Sequence, residues 1–178
     1  MNDEIHDDPV LRYRYRFSRE GDVLHVEIWA DPGGGVTIEH YHPTIEERFR
    51  VLEGQVTFRA DGDTRVAGPG DEVVVPPGVR HTFRNTGTDV AHLTTEAEPA
   101  LELQEFLERA AALGRAGAYT RHGIPKGFGA LLEAAEFADR YRDTVVFTAN
   151  TFPPPALQPI LLGPLARLQR RRAERSAA

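Results

Sequence analysis

GGVTIEHYHPTIEERFRVLEG, residues 34–54, is the most informative stretch of this chain. Side chains two residues apart in a β-strand point to the same side, so a strand here would turn His40 and His42 to one face. Glu47 follows after one turn, at the start of the next predicted strand. Glu46 is the competing carboxylate, but the spacing favours Glu47 and leaves Glu46 as a solvated or salt-bridged neighbour. The stretch therefore predicts three donor groups that converge.

A second stretch, GDEVVVPPGVRHTFRN at residues 70–85, adds a fourth donor. His81 follows a Pro-Pro-Gly turn and lies near the start of another predicted strand. If the strands close on themselves, all four side chains can meet at one cation inside the β body. Imidazole and carboxylate donors suit Fe, Mn, Ni, Co, Cu or Zn rather than Ca or Mg. Each histidine is expected to bind through one ring nitrogen and to be oriented through the other.

Short strands with frequent turns surround these two stretches. Such a pattern is typical of a β-sandwich or barrel. The alternation in LRYRYRFSR predicts a half-exposed strand whose arginines either discourage pairing at a sheet edge or bind an anion. The predicted strands are 11–19, 23–29, 36–42, 47–53, 55–60, 64–67, 72–75, 80–84 and 90–95.

The composition changes after Pro99, where a helical period begins. Helices are predicted over 100–113 and 127–142, and the last stretch is expected to be helical in pieces, interrupted by Pro159 and Pro164. The predicted organisation is a flexible N-terminal tail at 1–10, a β-barrel at 11–98 and a helical extension at 99–178 that packs on the barrel.

The two histidine-bearing stretches together resemble the cupin superfamily. The first has the family's spacing of glycine, HxH, glutamate and glycine, and the second has its spacing of glycine, PxG, histidine and asparagine. At roughly 5% per position, a chance match of all ten in one register is on the order of 10⁻¹³, so the resemblance is specific. It covers about residues 20–97, and the fixed positions are Gly34, His40, His42, Glu47, Gly54, Gly70, Pro76, Gly78, His81 and Asn85.

The resemblance implies a mainly β fold, an antiparallel jelly-roll barrel with one divalent transition metal (Fe, Mn, Ni, Cu or Zn) inside it. The implied metal ligands are His40, His42, Glu47 and His81. About two coordination positions usually stay open in such proteins for water, dioxygen or substrate. Similar cupins are commonly dimers that exchange N-terminal strands, a part that Leu11–Phe17 is expected to play in a homodimer.

Strand parity predicts which side chains line a small-molecule pocket beside the metal. Apolar residues that share a face with the four donors are the candidate substrate-binding residues, although they equally suit the packed interior of a barrel. His25 and His92 are alternative members of the pocket, but a lone strand histidine is more often structural or exposed. The candidates are Val36, Ile38, Phe49, Val51 and Phe83.

Bulk properties exclude several other classes of protein. A net charge of −6 and a pI of about 5.6 argue against a nucleic-acid binder. The chain has no cysteine, which excludes thiolate metal sites and cysteine nucleophiles. No run is apolar enough for a membrane span, and the acidic start MNDEIHDDPV lacks the features of a secretory signal. A cytoplasmic location is the resulting expectation.

Three functions fit these residues. An oxidoreductase of dioxygenase type is slightly favoured over a Lewis-acid isomerase or lyase, and a non-catalytic small-molecule-binding cupin is the third. The helical extension is expected to cover the barrel mouth or to form a dimer surface. Its apolar and arginine-rich end, residues 160–172, is either a packed helix with a solvated basic end or a contact for an anionic membrane. The sequence specifies neither the metal nor the substrate.

Overall fold

The computed structural model describes residues 4–120, 124–148 and 157–177. Ten strands are followed by helices, and one further two-residue strand lies between the second and third helix. The strands are β1 His6–Asp8, β2 Tyr13–Glu20, β3 Val23–Ala30, β4 His40–Tyr41, β5 Glu46–Glu53, β6 Val56–Ala60, β7 Asp63–Ala67, β8 Glu72–Val75, β9 His81–Asn85, β10 Ala91–Glu98 and β11 Val146–Phe147. The helices are α1 Leu103–Arg115, α2 Gly127–Arg140 and α3 Gln158–Ala177.

The strands form two antiparallel sheets, which confirms the predicted mainly β fold with C-terminal helices. One sheet has the order β1-β2-β3-β10-β5-β8 and the other the order β11-β4-β9-β6-β7. Alternate residues of each long strand are buried, as period-two sequences require. In β3, for example, Leu24, Val26 and Ile28 are buried while their neighbours are partly exposed.

Aromatic rings fill the space between the sheets. Phe49 lies 5.1 Å from Phe58 and 5.6 Å from Phe83, measured between ring centroids. Tyr13 and Tyr15 of β2 point into the same core and are almost fully buried. Offset and edge contacts of this kind add to the free energy that burial of the rings supplies.

The N-terminal segment differs from its prediction. Within residues 1–10, predicted as a flexible tail, His6–Asp8 forms β1 and pairs with β2. The buried Asp8 side chain accepts hydrogen bonds from the backbone N–H groups of Val10 and Leu11, both at 2.9 Å, and so shapes the turn between the strands. The arginine-rich strand β2 therefore has a neighbour on each side, and β1 occupies the sheet edge.

The strand predicted at 36–42 is reduced to the two residues of β4. Gly35 has a φ of 133°, and a Cβ there would lie 2.5 Å from the carbonyl oxygen of Phe83. The backbone ahead of β4 therefore approaches β9 more closely than side-chain-bearing residues allow. It is bonded irregularly instead: the Phe83 N–H donates to the Val36 carbonyl and the Asn85 N–H donates to the Gly34 carbonyl.

The helices follow the barrel and differ from prediction mainly at the C-terminus. In α1, Leu103 and Phe106 belong to the apolar core, and the Leu107 carbonyl accepts a hydrogen bond from the Tyr15 hydroxyl at 2.9 Å. The stretch predicted as broken helical pieces is one helix, α3, because the proline at 159 lies in the first turn, where proline is tolerated, and Pro164 is accommodated inside. None of the helices among the described residues is long and apolar enough to cross a membrane.

Candidate metal centre

Three strands and one connecting loop bring the predicted donors together. His40 of β4 is paired in register with His81 of β9, and their ring centroids lie 4.3 Å apart. His42 follows β4 directly, and Glu47 is the second residue of β5. The candidate ligand atoms of all four side chains lie within 4.8 Å of one another, and every one of these residues is buried.

Each histidine presents the same ring nitrogen to the centre. The Nδ1 atoms of His40 and His81 lie 3.0 Å from the carbonyl oxygens of Ile38 and Val79, each two residues earlier in the chain. The Nδ1 atom of His42 lies 2.7 Å from the carbonyl oxygen of Thr144. A carbonyl only accepts hydrogen bonds, so Nδ1 must carry the proton in all three rings. Each Nε2 is therefore the nitrogen that is available to a metal ion.

The inner atoms of the centre lack hydrogen-bond partners. The Glu47 Oε2 atom lies 3.2 Å from His42 Nε2 and 2.8 Å from His81 Nε2, yet none of the three forms a hydrogen bond of regular geometry. Buried polar atoms without partners are rare, because their desolvation is costly. Three lone-pair-bearing nitrogens and a carboxylate gathered in one buried place fit a divalent transition ion.

The environment inside the centre shifts the pKa values of its side chains in different directions. Burial lowers the pKa of His40 to about 3, with the neighbouring His81 and His42 acting in the same direction. Burial also lowers the pKa of His42, but the Glu47 carboxylate outweighs it and the net shift is upward. Burial raises the pKa of Glu47, but His42 and His81 hold it well below its usual range. Without a metal the centre therefore favours ionised Glu47 beside a proton on His42.

The structure separates the alternative candidates from the centre. The half-buried Glu46 side chain forms an ion pair with Arg48. His25 lies 3.6 Å from a carboxylate oxygen of Glu96, and His92 lies 2.8 Å from Glu27, all four on the outward positions of β3 and β10. Neither histidine joins the four donors.

The predicted pocket residues lie around the centre in two groups. Phe49, Val51 and Phe83 are 1–4% exposed and belong to the packed interior, where Phe49 lies 6.4 Å from the His81 ring. Val36 and Ile38 are half-buried in the irregular segment before β4. Ile38 contacts the centre through its carbonyl group, which orients His40. Binding of a substrate by these five residues stays a prediction.

One functional group was absent from the sequence-based prediction. The Thr144 carbonyl comes from the segment between α2 and β11, 102 residues after His42. Any residue type offers a backbone carbonyl, so no motif identifies this one. The pairing of β11 with β4, which places Phe147 opposite His40, was likewise not predicted.

Comparison with known proteins agrees with this geometry. A family model described as "Cupin domain" matches residues 25–95. Residues 25–95 form a cupin domain. A solved structure, an RmlC-like cupin from Shewanella frigidimarina, superposes on 57% of this chain and 87% of its own with a TM-score of 0.51 and 26% identity. The matched residues 25–95 contain all four candidate ligands and the strands that carry them.

Curated relatives of the cupin domain differ in their named activities. "Polyketide synthase CurC" of Streptomyces cyaneus is 35% identical over 68 residues, which cover 38% of this chain and 44% of that protein. "Quercetin 2,3-dioxygenase" of Bacillus subtilis is 40% identical over 53 residues, which cover 30% of this chain and 16% of that protein. The matched region thus spans less than half of the length of either relative.

Proposed function

We propose that this cupin is a metal-dependent enzyme of dioxygenase type that acts on a small organic molecule at the His40, His42, Glu47 and His81 centre. The observation that carries the proposal is the gathering of three Nε2 atoms around one buried carboxylate. In each of these rings a backbone carbonyl accepts a hydrogen bond from Nδ1, which leaves Nε2 free to bind a metal ion. The expected cofactor is one divalent transition metal, Fe, Mn, Ni, Cu or Zn. The likeness to a quercetin dioxygenase supports the choice of reaction class.

The chemistry that a bound metal supplies in such a site is activation of dioxygen or polarisation of a carbonyl group. The chain's own residues prepare the site for either. Glu47 brings one negative charge into a buried place, which offsets part of a divalent ion's charge. The packed rings of Phe49 and Phe83 keep water away from the interior side of the centre. A substrate would then enter from the side of the half-buried residues Val36 and Ile38.

A second candidate function is Lewis-acid chemistry on a carbonyl or enolate, giving isomerisation or lyase activity without oxygen. The polyketide synthase relative favours it, because polyketide chains are rich in carbonyl groups. A third candidate is a small-molecule-binding cupin without turnover. All three need the same metal centre, so metal binding alone does not separate them.

One experiment distinguishes the candidates. Protein purified without chelators is analysed for metal content and then tested for oxygen uptake with a panel of diketones, catechols and flavonoid-like phenols. Iron, copper or nickel with oxygen loss that depends on the substrate supports the dioxygenase. Stoichiometric zinc or manganese with conversion but no oxygen uptake favours Lewis-acid chemistry. Metal binding with ligand affinity and no conversion favours the binding module, and absence of bound metal contradicts all three.

We further propose a cytoplasmic homodimer in which the Leu11–Phe17 segment is exchanged between subunits. In the single chain this segment forms most of β2 and pairs with β1 and β3. Its inward residues Tyr13, Tyr15 and Phe17 are buried in the barrel, so an exchanged copy would fill the same positions. Light scattering after size-exclusion chromatography tests the dimer, since a monomer mass contradicts it.

A further inference from the structure

The carbonyl group that orients the His42 ring comes from a different part of the chain than the carbonyl groups that orient His40 and His81. Those of His40 and His81 are supplied by residues two positions earlier, so the local chain prepares both rings. The Thr144 carbonyl lies outside the matched cupin domain, in the helical extension. His42 and Thr144 are 3% and 2% exposed, so water does not replace this contact.

The segment Thr144–Thr148 is held at both ends. At its start, the N–H groups of Thr144 and Val145 donate to the Tyr141 carbonyl at 2.9 and 2.8 Å, which continues the turn that ends α2. At its end, the Thr148 N–H donates to the Glu39 carbonyl at 2.8 Å, and its hydroxyl donates to the Glu39 carboxylate at 2.7 Å. The segment is thus fixed between α2 and the residue that precedes His40.

Phe147 is the residue of this segment whose side chain lies beside His40 of the candidate centre. It pairs opposite His40, and the two ring centroids are 6.3 Å apart. On its other side the Phe147 ring lies 6.2 Å from Phe106 of α1. The half-buried Phe147 ring therefore lies next to both a helix of the extension and one histidine of the candidate centre.

We propose that the Thr144–Thr148 segment is a working part of the metal centre, an inference that rests on the proposed metal-dependent function. Thr144 is a positioning residue, whose carbonyl holds His42 with Nδ1 protonated and Nε2 turned to the metal. Phe147 is a specificity-determining residue, whose ring limits the size of ligands that reach the metal beside His40. The helical extension thereby supplies what the cupin domain alone lacks.

The positioning role is tested by Val145→Pro, with Val145→Ala as its matched control. Proline removes the Val145 N–H that anchors the turn and disfavours a turn conformation at Thr144, so the carbonyl is redirected. Alanine loses the same apolar side chain but keeps the amide. Affinity for Co²⁺, measured by competition with a chelator in the full chain, should fall about 10- to 100-fold in Val145→Pro relative to Val145→Ala. Equal affinities in the two variants overturn the role of Thr144.

A second measurement uses the wild-type chain and decides even if Val145→Pro does not fold. Nitrogen-15 NMR of the Zn²⁺-loaded protein with ring-labelled histidine reports which nitrogen binds metal. All three site histidines should bind through Nε2 and keep a slowly exchanging Nδ1 proton. Binding of His42 through Nδ1 overturns the inference. Failure of the wild-type chain to bind Zn²⁺ or Co²⁺ contradicts the proposed metal centre itself.

The role of Phe147 is tested with two β-diketone probes of different size, acetylacetone and dibenzoylmethane. Their binding to the Co²⁺-loaded protein is followed by the visible spectrum of the metal. Phe147→Ala should improve the affinity for the larger probe relative to the smaller by about tenfold or more. Phe147→Leu should give an affinity ratio between those of the wild-type protein and Phe147→Ala. Val146→Ala, at the neighbouring position of β11, should leave the ratio unchanged. An unchanged ratio in Phe147→Ala overturns this role.

Discussion

Glu47 Oε2 and His81 Nε2 lie 2.8 Å apart without a hydrogen bond of regular geometry between them. The His81 ring has its proton on Nδ1, where the Val79 carbonyl accepts it. Two lone pairs therefore face each other in a buried place, an arrangement that repels unless a proton or a cation lies between them. The contact fits the proposal that Glu47 and His81 are two ligands of one metal ion.

Replacement of His42 by alanine should remove most of the bound metal and leave the barrel folded. The apolar core, and not the metal, supplies most of the stability, because the rings between the sheets are packed independently of His42. His25→Ala is the matched control, since His25 is partly exposed on β3 and is not one of the four donors. Elemental analysis with circular dichroism checks both variants. Undiminished metal in His42→Ala would falsify the ligand assignment.

The metal-free protein should lose stability as the pH falls from 6.5 to 4.5. The pKa of His40 is about 3 in the folded chain against 6.5 in the unfolded chain, so the unfolded state binds one more proton in this window. Each pH unit then costs up to about 1.4 kcal/mol, with the smallest cost near pH 6.5, where the unfolded imidazole is only half protonated. The pKa of His42 is raised, so His42 is largely protonated in both states at the lower end of this window and contributes little there.

His40→Gln isolates this effect. Urea unfolding of the chelator-treated proteins at several pH values should show a flatter dependence for the variant, by up to about 1.4 kcal/mol per pH unit. A parallel dependence in both proteins would show that His40 titrates normally when folded.

Asn85→Asp should destabilise the barrel strongly at neutral pH. The Asn85 amide nitrogen donates to the carbonyls of Ala30 and Asp89 at 2.8 and 2.7 Å, and the side chain is fully buried. A carboxylate would face two carbonyl oxygens, at a cost of about 3–5 kcal/mol. A protonated carboxyl can donate one bond, so the deficit should shrink at low pH. Denaturant titrations at pH 7 and pH 5 measure it, and a deficit that does not change with pH refutes the explanation.

Gly35→Ala should cost about 1–3 kcal/mol through its backbone angle alone, with a further cost from contact with the Phe83 carbonyl. Gly68→Ala is the control, because a Cβ at that position meets no atom within 4 Å. The control should change stability by less than about 0.5 kcal/mol. Thermal unfolding compares the two variants. Equal melting temperatures would mean that the backbone before β4 can shift to accept a Cβ at little cost in stability.

The sequence predicted the parts of this structure that depend on residue type and spacing. His40, His42, Glu47 and His81 were singled out by their spacing and by the cupin resemblance, and the structure gathers their donor atoms in one place. The alternation of β2 and β3 likewise predicted their inward faces.

The features that the sequence did not predict depend on backbone contacts between distant segments. β1 is polar and short, so nothing in its composition indicates pairing with β2. The shortening of β4 follows from the approach of Gly35 to β9, which only the tertiary structure creates. Every residue has a backbone carbonyl, so the sequence does not single out the carbonyl of Thr144. The continuity of α3 past Pro164 depends on the whole helix.

The remote origin of the Thr144 carbonyl also has a consequence for biosynthesis. The last barrel strand ends at Glu98, and translation must continue for roughly 46 residues before Thr144 is added. At about 5–20 residues per second, this takes several seconds, during which the barrel strands are already available to fold. In a nascent barrel, the carbonyl groups that orient His40 and His81 are already present, but the carbonyl group that orients His42 is not. Under the proposed function, tight metal binding is therefore expected only after Thr144 has been added to the chain.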